Sequence, residues 1–316
     1  MELHDANDDQ RLPHAPLATL GPVSRPLDGP LLTGTCATLA CLLEVTAAKP
    51  GNVYRGADFE EMTYADMIVS AAVIGPVMEE AVDCRVGQTI LQAVRATQAA
   101  VAQNTNLGTV LLLAPLAKVP RDTPLPVGIG PVLADLDQQD GADAYGAIRA
   151  AHPGGLGSVA QADIHGDPRI SLRDAMALAA DRDLVAGQYV NGYREVLDQA
   201  LPLLVAGQRH GWPLSQTIVY TQLQLMAELP DSLIARKCGL DVAREASARA
   251  AAVLAAGTPG DTGYNRAIAD LDFWLRADRN RRNPGTTADL LAAALFVALR
   301  DGLIEWPLRY YAPLRQ

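Results

Sequence analysis

Aromatic residues and strand-forming clusters are scarce in this chain. Phe, Trp and Tyr make up 5% of the 316 residues, with only three Phe. Strands are enriched in aromatic and β-branched residues, so their scarcity argues against a sheet. From Leu31 onward, Ala- and Leu-rich segments place apolar residues three and four positions apart, the spacing of packed helices. The sequence therefore predicts an all-α fold, with a single multi-helical globular domain of about a dozen helices over residues 29–316.

Paired cysteines, long apolar runs and a basic N-terminus are also missing. The four cysteines, Cys36, Cys41, Cys84 and Cys238, include no Cys-x-x-Cys pair, which argues against a zinc cluster and suits a reducing, cytoplasmic setting. No apolar run reaches the roughly 20 residues that span a bilayer. The chain starts with acidic rather than basic residues, which argues against a secretory signal.

The charge balance is acidic. Asp and Glu number 36 against 26 Lys and Arg, a net charge of −10, which disfavours binding to nucleic acid or to an anionic membrane. Residues 1–28 are rich in Pro, Asp and His and have no period, so we predict a flexible N-terminal tail. An apolar helix face could support a homodimer, but the sequence does not show which face is exposed.

The apolar periodicity and its Pro and Gly breaks place the individual helices. They cover Thr33–Ala48, Thr63–Cys84, Gly87–Gln103, Gly108–Lys118, Val132–Gln138, Gly141–Ala151, Ser171–Asp181, Asp183–Gly207, Leu214–Ala227, Asp231–Lys237, Leu240–Ala256, Gly263–Ala277 and Thr287–Asp301. A kink is expected at Gly75-Pro76, because Pro removes a backbone donor and clashes with the preceding turn.

The stretch from Asn283 to Asp289 combines a turn, a helix start and a carboxylate. Asn-Pro-Gly forms a tight turn, and Thr286 or Thr287 can cap the following helix with Asp289 in its first turn. A helix N-terminus can hold a phosphate oxygen, and a carboxylate there can hold a metal ion that the phosphate shares. The alternative is an ordinary capped helix in which Asp289 complements the helix dipole.

Three further polar segments interrupt the helices. They are Lys49-Pro50-Gly51, Asn104-Thr105-Asn106-Leu107-Gly108, and the stretch from Asp231 to Lys237-Cys238-Gly239. Each has a plain structural alternative, namely a cation at a helix C-terminus, a loop with an N-cap, and a capped short helix. Four such segments together favour a shared binding site.

The motifs, in this order, resemble those of the triphosphoribosyl-dephospho-CoA synthases. The resemblance rests on Glu44 with Lys49-Pro50-Gly51, Asn104-Thr105 with Gly108, Asp231 with Lys237, and Pro284-Gly285 with Asp289, and it covers residues 36–300. It implies an all-helical transferase that breaks the glycosidic bond of ATP, releases adenine, and joins the triphosphoribosyl group to a ribose hydroxyl of dephospho-CoA. The product is the prosthetic-group precursor of citrate lyase or malonate decarboxylase carrier proteins.

This chemistry suggests a role for each motif residue. Ribosyl transfer passes through an oxocarbenium-like sugar, so the protein must hold the triphosphate and stabilise positive charge. We predict Lys49 and Lys237 as triphosphate contacts, and Asp231 and Asp289 as catalytic carboxylates that bind metal or ribose. Glu44 would orient Lys49 or act as base on the acceptor hydroxyl. The predicted nucleotide-binding set also includes Pro50, Gly51, Asn104, Thr105, Asn106, Gly108, Gly285 and Thr286. Since basic residues are few, Mg²⁺ is the predicted cofactor.

Several motif positions depart from the family pattern. Asn106 and Leu107 stand where members usually carry His and a basic residue, Lys237 stands in place of Arg, and Cys238 in place of Gly. Lys offers phosphate a point charge where Arg offers a bidentate fork. A divergent branch could therefore use another phosphoribosyl donor and acceptor, as in the biosynthesis of a tetrahydromethanopterin-type one-carbon cofactor. A noncatalytic nucleotide-binding protein is a further alternative.

Overall fold

The computed structural model describes residues 29–151 and 170–312; the predicted tail, residues 1–28, lies outside this range. The α-helices are α1 (Thr33–Thr46), α2 (Tyr64–Glu79), α3 (Val86–Val101), α4 (Leu107–Lys118), α5 (Leu125–Ala134), α6 (Gln138–Ala151), α7 (Leu172–Ala177), α8 (Leu184–Asn191), α9 (Leu201–Arg209), α10 (Leu214–Glu228), α11 (Ser232–Cys238), α12 (Leu240–Ala255), α13 (Thr262–Arg276) and α14 (Gly285–Arg300). A 3₁₀ turn (Glu80–Val82) follows α2, and a π-helical turn (Glu195–Ala200) precedes α9. Within the described ranges there is no β-strand, which confirms the all-α prediction there.

Helix α14 is the central element of the fold. Every residue from Leu290 to Arg300 is buried. A helix that is apolar on all sides must be enclosed by other helices, and α1, α4, α9, α10 and the π-helical turn pack around it. The last sequence motif therefore lies at the point where a fully enclosed helix begins. No helix in the part of the chain that the structure describes is long and apolar enough to cross a membrane.

Helices α1 and α2 approach each other through glycine. A Cβ atom on Gly34 would lie only 2.3 Å from the carbonyl oxygen of Gly75, so a larger residue would push the backbones apart. Thr38 of α1 strengthens the contact by donating to the carbonyl of Ala71 at 3.2 Å. Helix α2 begins with a capping box and continues through Pro76 to Glu79. This close pairing brings α1 and α2 to the same small cavity.

The predicted helix Asp183–Gly207 is interrupted in the structure. Helix α8 ends at Asn191, and Tyr193 has a positive φ of 66° before the π-helical turn begins. The buried hydroxyls of Tyr189 and Tyr193 donate to the carbonyls of Leu111 and Leu112 in α4, at 2.6 and 2.9 Å. Within α4 the Leu111 carbonyl lacks its usual partner, because the residue four positions on is a proline without an N–H. A contact with another helix thus breaks the pattern that periodicity predicted.

The predicted helix Val132–Gln138 is displaced towards the N-terminus. The structure instead has α5 at Leu125–Ala134, and α6 begins at Gln138. Two prolines and two glycines in α5 gave this segment the composition of a loop. Pro126 lies in the first turn, where its missing N–H is tolerated, and Gly128 packs so closely that a Cβ there would lie 2.2 Å from Val119 Cγ1. Packing against Val119 therefore overrides the low helix propensity.

Candidate active site

The loop after α1 is joined to the loop before α14. Asn52 Nδ2 donates to Asn283 Oδ1 at 2.6 Å, and Gln222 Nε2 of α10 donates to Asn52 Oδ1 at 2.8 Å. Gly51 has a φ of 78°, and a Cβ there would lie 2.9 Å from the ring of Pro284. Glycine is required on both counts, the left-handed backbone and the close approach. The Lys-Pro-Gly and Asn-Pro-Gly motifs are therefore in direct contact.

Asp231 joins the start of α11 to the start of α14. Its Oδ1 accepts the N–H groups of the second and third residues of α11, at 2.9 and 3.0 Å. Its Oδ2 accepts both the N–H and the hydroxyl of Thr287, each at 2.8 Å. Burial raises the pKa of Asp231, and these hydrogen bonds oppose the rise. Since four donors engage its two oxygens, the geometry favours a capping role for Asp231 over the predicted role as metal ligand, which stays a prediction.

The expected capping of α14 by its own threonines is wrong. The helix begins at Gly285, and neither Thr286 nor Thr287 caps it with its side chain. A helix start leaves backbone N–H groups without partners inside the helix, and Asp231 of a different helix accepts one of them. Thr286 Oγ1 instead accepts a hydrogen bond from Ser232 Oγ at 3.0 Å. The first turns of α11 and α14 are thus linked by two polar contacts that only tertiary structure creates.

Asp289 lies against the first turn of α4 and not in the first turn of its own helix, as the sequence suggested. Thr109 Oγ1 donates to Asp289 Oδ1 at 2.6 Å. A Cβ on Gly108 would lie 2.0 Å from Asp289 Oδ2, so glycine is needed for this approach. Burial raises the pKa of Asp289 to about 8, and repulsion by Glu44 and two other carboxylates adds to the rise while Thr109 opposes it. The charge of Asp289 therefore changes within the physiological pH range.

The loop before α4 holds three polar side chains beside Asp289. Asn104 Oδ1 accepts the N–H of Leu107 at 3.1 Å, and Thr105 Oγ1 lies 2.6 Å from Ser70 Oγ. Asn106 is only 8% exposed, and its Nδ2 has no hydrogen-bond partner among the described residues. A buried donor without a partner costs free energy and is uncommon in folded proteins. Asn106 is therefore a donor that a bound ligand could satisfy.

Glu44 and Lys49 form a buried ion pair at the end of α1. Lys49 Nζ lies 2.9 Å from Glu44 Oε1 and donates to the Glu44 carbonyl at 2.9 Å, with side-chain exposures of 0% for Lys49 and 8% for Glu44. Burial raises the pKa of Glu44, and the Lys49 charge opposes the rise. Lys49 thus neutralises the C-terminal end of a helix, the structural alternative for this motif. Its predicted contact with triphosphate stays a prediction, since its ammonium group is enclosed and paired here.

A small cavity lies between α1, α2, α4 and α14. Its volume is about 20 Å³, and its walls include Cys41, Glu44, Ser70, Asn106 and Thr109. That volume holds roughly one water molecule, far less than a nucleotide. The cavity marks the place where two carboxyl-bearing segments and the unpaired Asn106 amide converge, and a nucleotide would have to bind at its opening.

Lys237 lies among other cations. It is half-buried near the end of α11, next to Arg236, and Arg281 Nη2 donates to its backbone carbonyl at 2.5 Å. Burial lowers the pKa of Lys237, and repulsion by Arg236 lowers it further. In the described ranges, the Lys237 ammonium makes no hydrogen bond or ion pair with a protein acceptor. Crowded cations without a counter-ion suit an anionic ligand.

The residues present fit Mg²⁺ only in part. Across residues 29–151 and 170–312, no three acidic, His or Cys side chains gather closely enough to hold a metal ion. Of the two predicted ligands, Asp231 is engaged by four donors, whereas Asp289 Oδ2 accepts no hydrogen bond from the described residues. In nucleotide-binding enzymes Mg²⁺ is commonly held by one or two carboxylates together with substrate phosphates. Asp289 fits that arrangement as a single protein ligand.

Several residues that build the site were missed in the sequence. Thr109 stands next to the predicted Gly108, and Asn52 directly follows Lys-Pro-Gly, so both could have been found by extending the motifs by one residue. Gln222 is fully buried in the apolar helix α10, where a polar residue on a buried face is the only signal. Ser70 carried no signal of its own, because its partner Thr105 is 35 positions away in the chain.

Fold and site together define an all-helical protein with a carboxylate-centred polar site between helix ends. The chain belongs to the ATP:dephospho-CoA triphosphoribosyl transferase family (CitG), whose sequence model matches residues 31–307. This match confirms the resemblance inferred from the motifs.

Individual relatives agree with the family assignment. A protein of Stutzerimonas stutzeri (strain A1501) is 32% identical over 110 residues, which cover 35% of this chain and 37% of the relative. A protein of Azotobacter vinelandii (strain DJ / ATCC BAA-1303) is 29% identical over 117 residues, which cover 37% of this chain and 39% of the relative. Both are named "Probable 2-(5''-triphosphoribosyl)-3'-dephosphocoenzyme-A synthase". The chain thus aligns with well under half the length of these curated relatives.

A solved structure shows the same fold over most of the chain. The crystal structure of a protein from Archaeoglobus fulgidus, assigned in its title as a triphosphoribosyl-dephospho-coA synthase, superimposes with a TM-score of 0.57 and 25% sequence identity. The superposition covers 74% of this chain and 98% of the other. The likeness extends to nearly the whole length of that protein.

Proposed function

We propose that this protein transfers the triphosphoribosyl group of ATP to a ribose hydroxyl of dephospho-CoA and releases adenine. The family match over residues 31–307 is the observation that carries this proposal. In the reaction the bond from the anomeric carbon to adenine breaks and a bond from that carbon to the acceptor oxygen forms. The acceptor hydroxyl loses a proton, and the departing adenine takes one up.

Two carboxyl groups supply the chemistry that this transfer needs. Asp289 in its ionised form would stabilise positive charge at the anomeric carbon, because its negative charge lies in a partly buried place where solvent screening is weak. Glu44 would accept the proton of the acceptor hydroxyl, and Lys49 holds its side chain in place. Different surroundings thus assign different roles to two nearby carboxyl groups.

Cations and neutral donors would hold the triphosphate. Lys237, Arg236 and Arg281 offer positive charge near the start of α14, and the unpaired Asn106 amide offers a donor at the cavity. Bound Mg²⁺ would neutralise phosphate charge, with Asp289 as the residue that fits as its protein ligand. Mg²⁺ and a proton then compete for the Asp289 carboxyl, so the proposed Mg²⁺ dependence should include a lower apparent pKa for activity as Mg²⁺ rises.

The proposed function predicts release of adenine that depends on dephospho-CoA. The purified full chain would be incubated with ATP, Mg²⁺ and dephospho-CoA, and free adenine measured by chromatography. Turnover only with another phosphoribosyl donor and a pterin-linked acceptor would instead support the divergent-branch alternative. Nucleotide binding without any turnover would support the noncatalytic alternative. A homodimeric state and a cytoplasmic location remain predictions from the sequence.

Replacement of Gly108 by alanine is expected to lower turnover by about 100-fold. The new Cβ would collide with Asp289 Oδ2 and displace its carboxyl group, and misplacing a catalytic group by about 1 Å can have an effect of this size. The matched control is Gly130→Ala in α5, where a Cβ would meet nothing within 4 Å. We expect the control to keep full turnover and to gain up to about 1 kcal/mol of stability from better helix propensity. Equal turnover in both variants would contradict the role of Asp289.

A further inference from the structure

A second and larger cleft lies between the end of α1, α10 and α13. Its volume is about 250 Å³, compared with about 20 Å³ for the cavity beside Glu44. Small-molecule sites usually enclose ~300–1,000 Å³, so this cleft suits a ring-sized part of a ligand. We call it the tyrosine cleft, after Tyr54, Tyr264 and Tyr311 in its walls.

The walls of the tyrosine cleft suit a flat aromatic ring. The chain has only nine Tyr, three Phe and three Trp, yet three tyrosines meet here, together with Ile268 and Val219. Aromatic side chains bind the faces of nucleobases by stacking, and aliphatic side chains add apolar contact. This concentration of rings in a chain poor in aromatics sets the cleft apart from the other surfaces of the described residues.

The cleft also carries polar groups that the protein itself does not use. Ser215, Gln216 and Asn265 line it, and their side chains make no hydrogen bond with any residue in the ranges the structure describes. Amide and hydroxyl groups can both donate and accept, which matches the ring nitrogens and amino group of a purine. Arg55 is exposed on the same cleft and can bind a phosphate oxygen.

The chain connects the tyrosine cleft to the candidate active site. Thr46 and Ala48 of the cleft lie between Glu44 and Lys49 in sequence. Tyr310, next to Tyr311, donates its hydroxyl to the Leu43 carbonyl at 2.7 Å, so the C-terminal segment is tied to the same end of α1. A molecule bound in the cleft would therefore lie beside the segment that carries the proposed base.

We propose that the tyrosine cleft binds the purine ring of a nucleotide substrate, with Arg55 facing its phosphate. The choice of nucleotides rests on the proposed function, in which both ATP and dephospho-CoA carry adenine. Two purines must be accommodated before transfer, and the cavity beside Glu44 is too small for either. The tyrosine cleft provides space for one of them.

Filling the cleft tests this assignment. Ile268→Trp would place a large side chain in the cleft, and the matched control is Phe273→Trp on the same helix, where Phe273 is 77% exposed. Binding of ATP and of dephospho-CoA would be measured by calorimetry, and the KM for each by adenine release. We expect Ile268→Trp to weaken one of the two nucleotides by about tenfold or more, and Phe273→Trp to leave both unchanged. The nucleotide that is weakened identifies which purine occupies the cleft.

A second variant guards against misfolding. Asn265→Ala changes an exposed side chain of the cleft, and we expect it to weaken the same nucleotide as Ile268→Trp, by a smaller factor. Unchanged affinity for both nucleotides in a folded Ile268→Trp variant, or in Asn265→Ala if Ile268→Trp does not fold, would overturn the proposal. Absent turnover in the wild type with weakened binding in these variants would refute the proposed function and leave the cleft assignment standing. Turnover that depends on Asp289 but ignores both variants would do the reverse.

Discussion

Replacement of Asp289 by asparagine is expected to remove most of the turnover and to stabilise the protein at alkaline pH. The amide keeps the shape of the carboxyl group and can still accept the hydrogen bond from Thr109 Oγ1. It lacks the negative charge that the proposed mechanism places near the anomeric carbon. Loss of one preorganised electrostatic group commonly lowers kcat by about 10²–10³-fold, and we expect an effect of that order in the adenine-release assay.

The stability effect follows from the raised pKa of Asp289. The pKa is about 8 in the folded protein and about 3.9 in an unfolded chain. Between these values the folded state holds the proton more tightly, so the wild type loses stability as the pH rises through this window. The full shift corresponds to roughly 5 kcal/mol, and we expect about 2–4 kcal/mol because Asp289 is partly exposed. Urea unfolding at pH 5 and pH 9 should show this decline for the wild type and not for Asp289→Asn.

Activity and stability should therefore depend on pH in opposite directions. Turnover of the wild type is expected to rise as Asp289 loses its proton, and bound Mg²⁺ should move that rise to lower pH. Asp241→Asn is the control, because the Asp241 side chain is 98% exposed on α12. A Asp289→Asn variant with normal turnover, or with the same pH-dependent stability as the wild type, would show that Asp289 has neither the charge nor the role assigned to it.

Replacement of Lys49 by methionine is expected to destabilise the fold strongly. Lys49 is fully buried, and its removal leaves the Glu44 carboxylate enclosed without its positive partner. Breaking a buried ion pair from one side commonly costs about 3–5 kcal/mol, and urea unfolding at neutral pH should show a loss of that size. The control is Arg244→Met, which breaks the exposed pair with Asp241 and should change stability by less than about 1 kcal/mol.

A double-mutant cycle separates the structural role of Lys49 from its predicted contact with triphosphate. Glu44→Gln combined with Lys49→Met removes both charges, so we expect it to recover much of the stability that Lys49→Met loses. If Lys49 also contacts triphosphate, the KM for ATP in the double variant should exceed that in Glu44→Gln alone by about tenfold. Equal KM values for ATP would confine Lys49 to its place in the ion pair. Additive stability losses would contradict the buried pair itself.

The local content of the motifs was predictable because it depends on chain chemistry over a few residues. Asp231 does begin a short helix that ends at Gly239, and Lys49 does answer the end of α1. The extent of α14 was close to the prediction as well, because an apolar run after Asn-Pro-Gly has few other solutions. Long-range contacts defeated the local reading of α8 and α9, where Tyr189 and Tyr193 turn towards carbonyls of α4.

The sequence by itself determined the all-α class, the central apolar helix and the family, because each depends on residue composition, period or motif order. Tertiary structure alone decided the partners of the carboxyl groups. Asp231 caps a helix 56 positions away, Asp289 rests on Gly108 of another helix, and Glu44 encloses Lys49. A carboxyl group acquires a pKa and a role from burial and from neighbouring charges, and these are set by packing between helices that lie far apart in the chain.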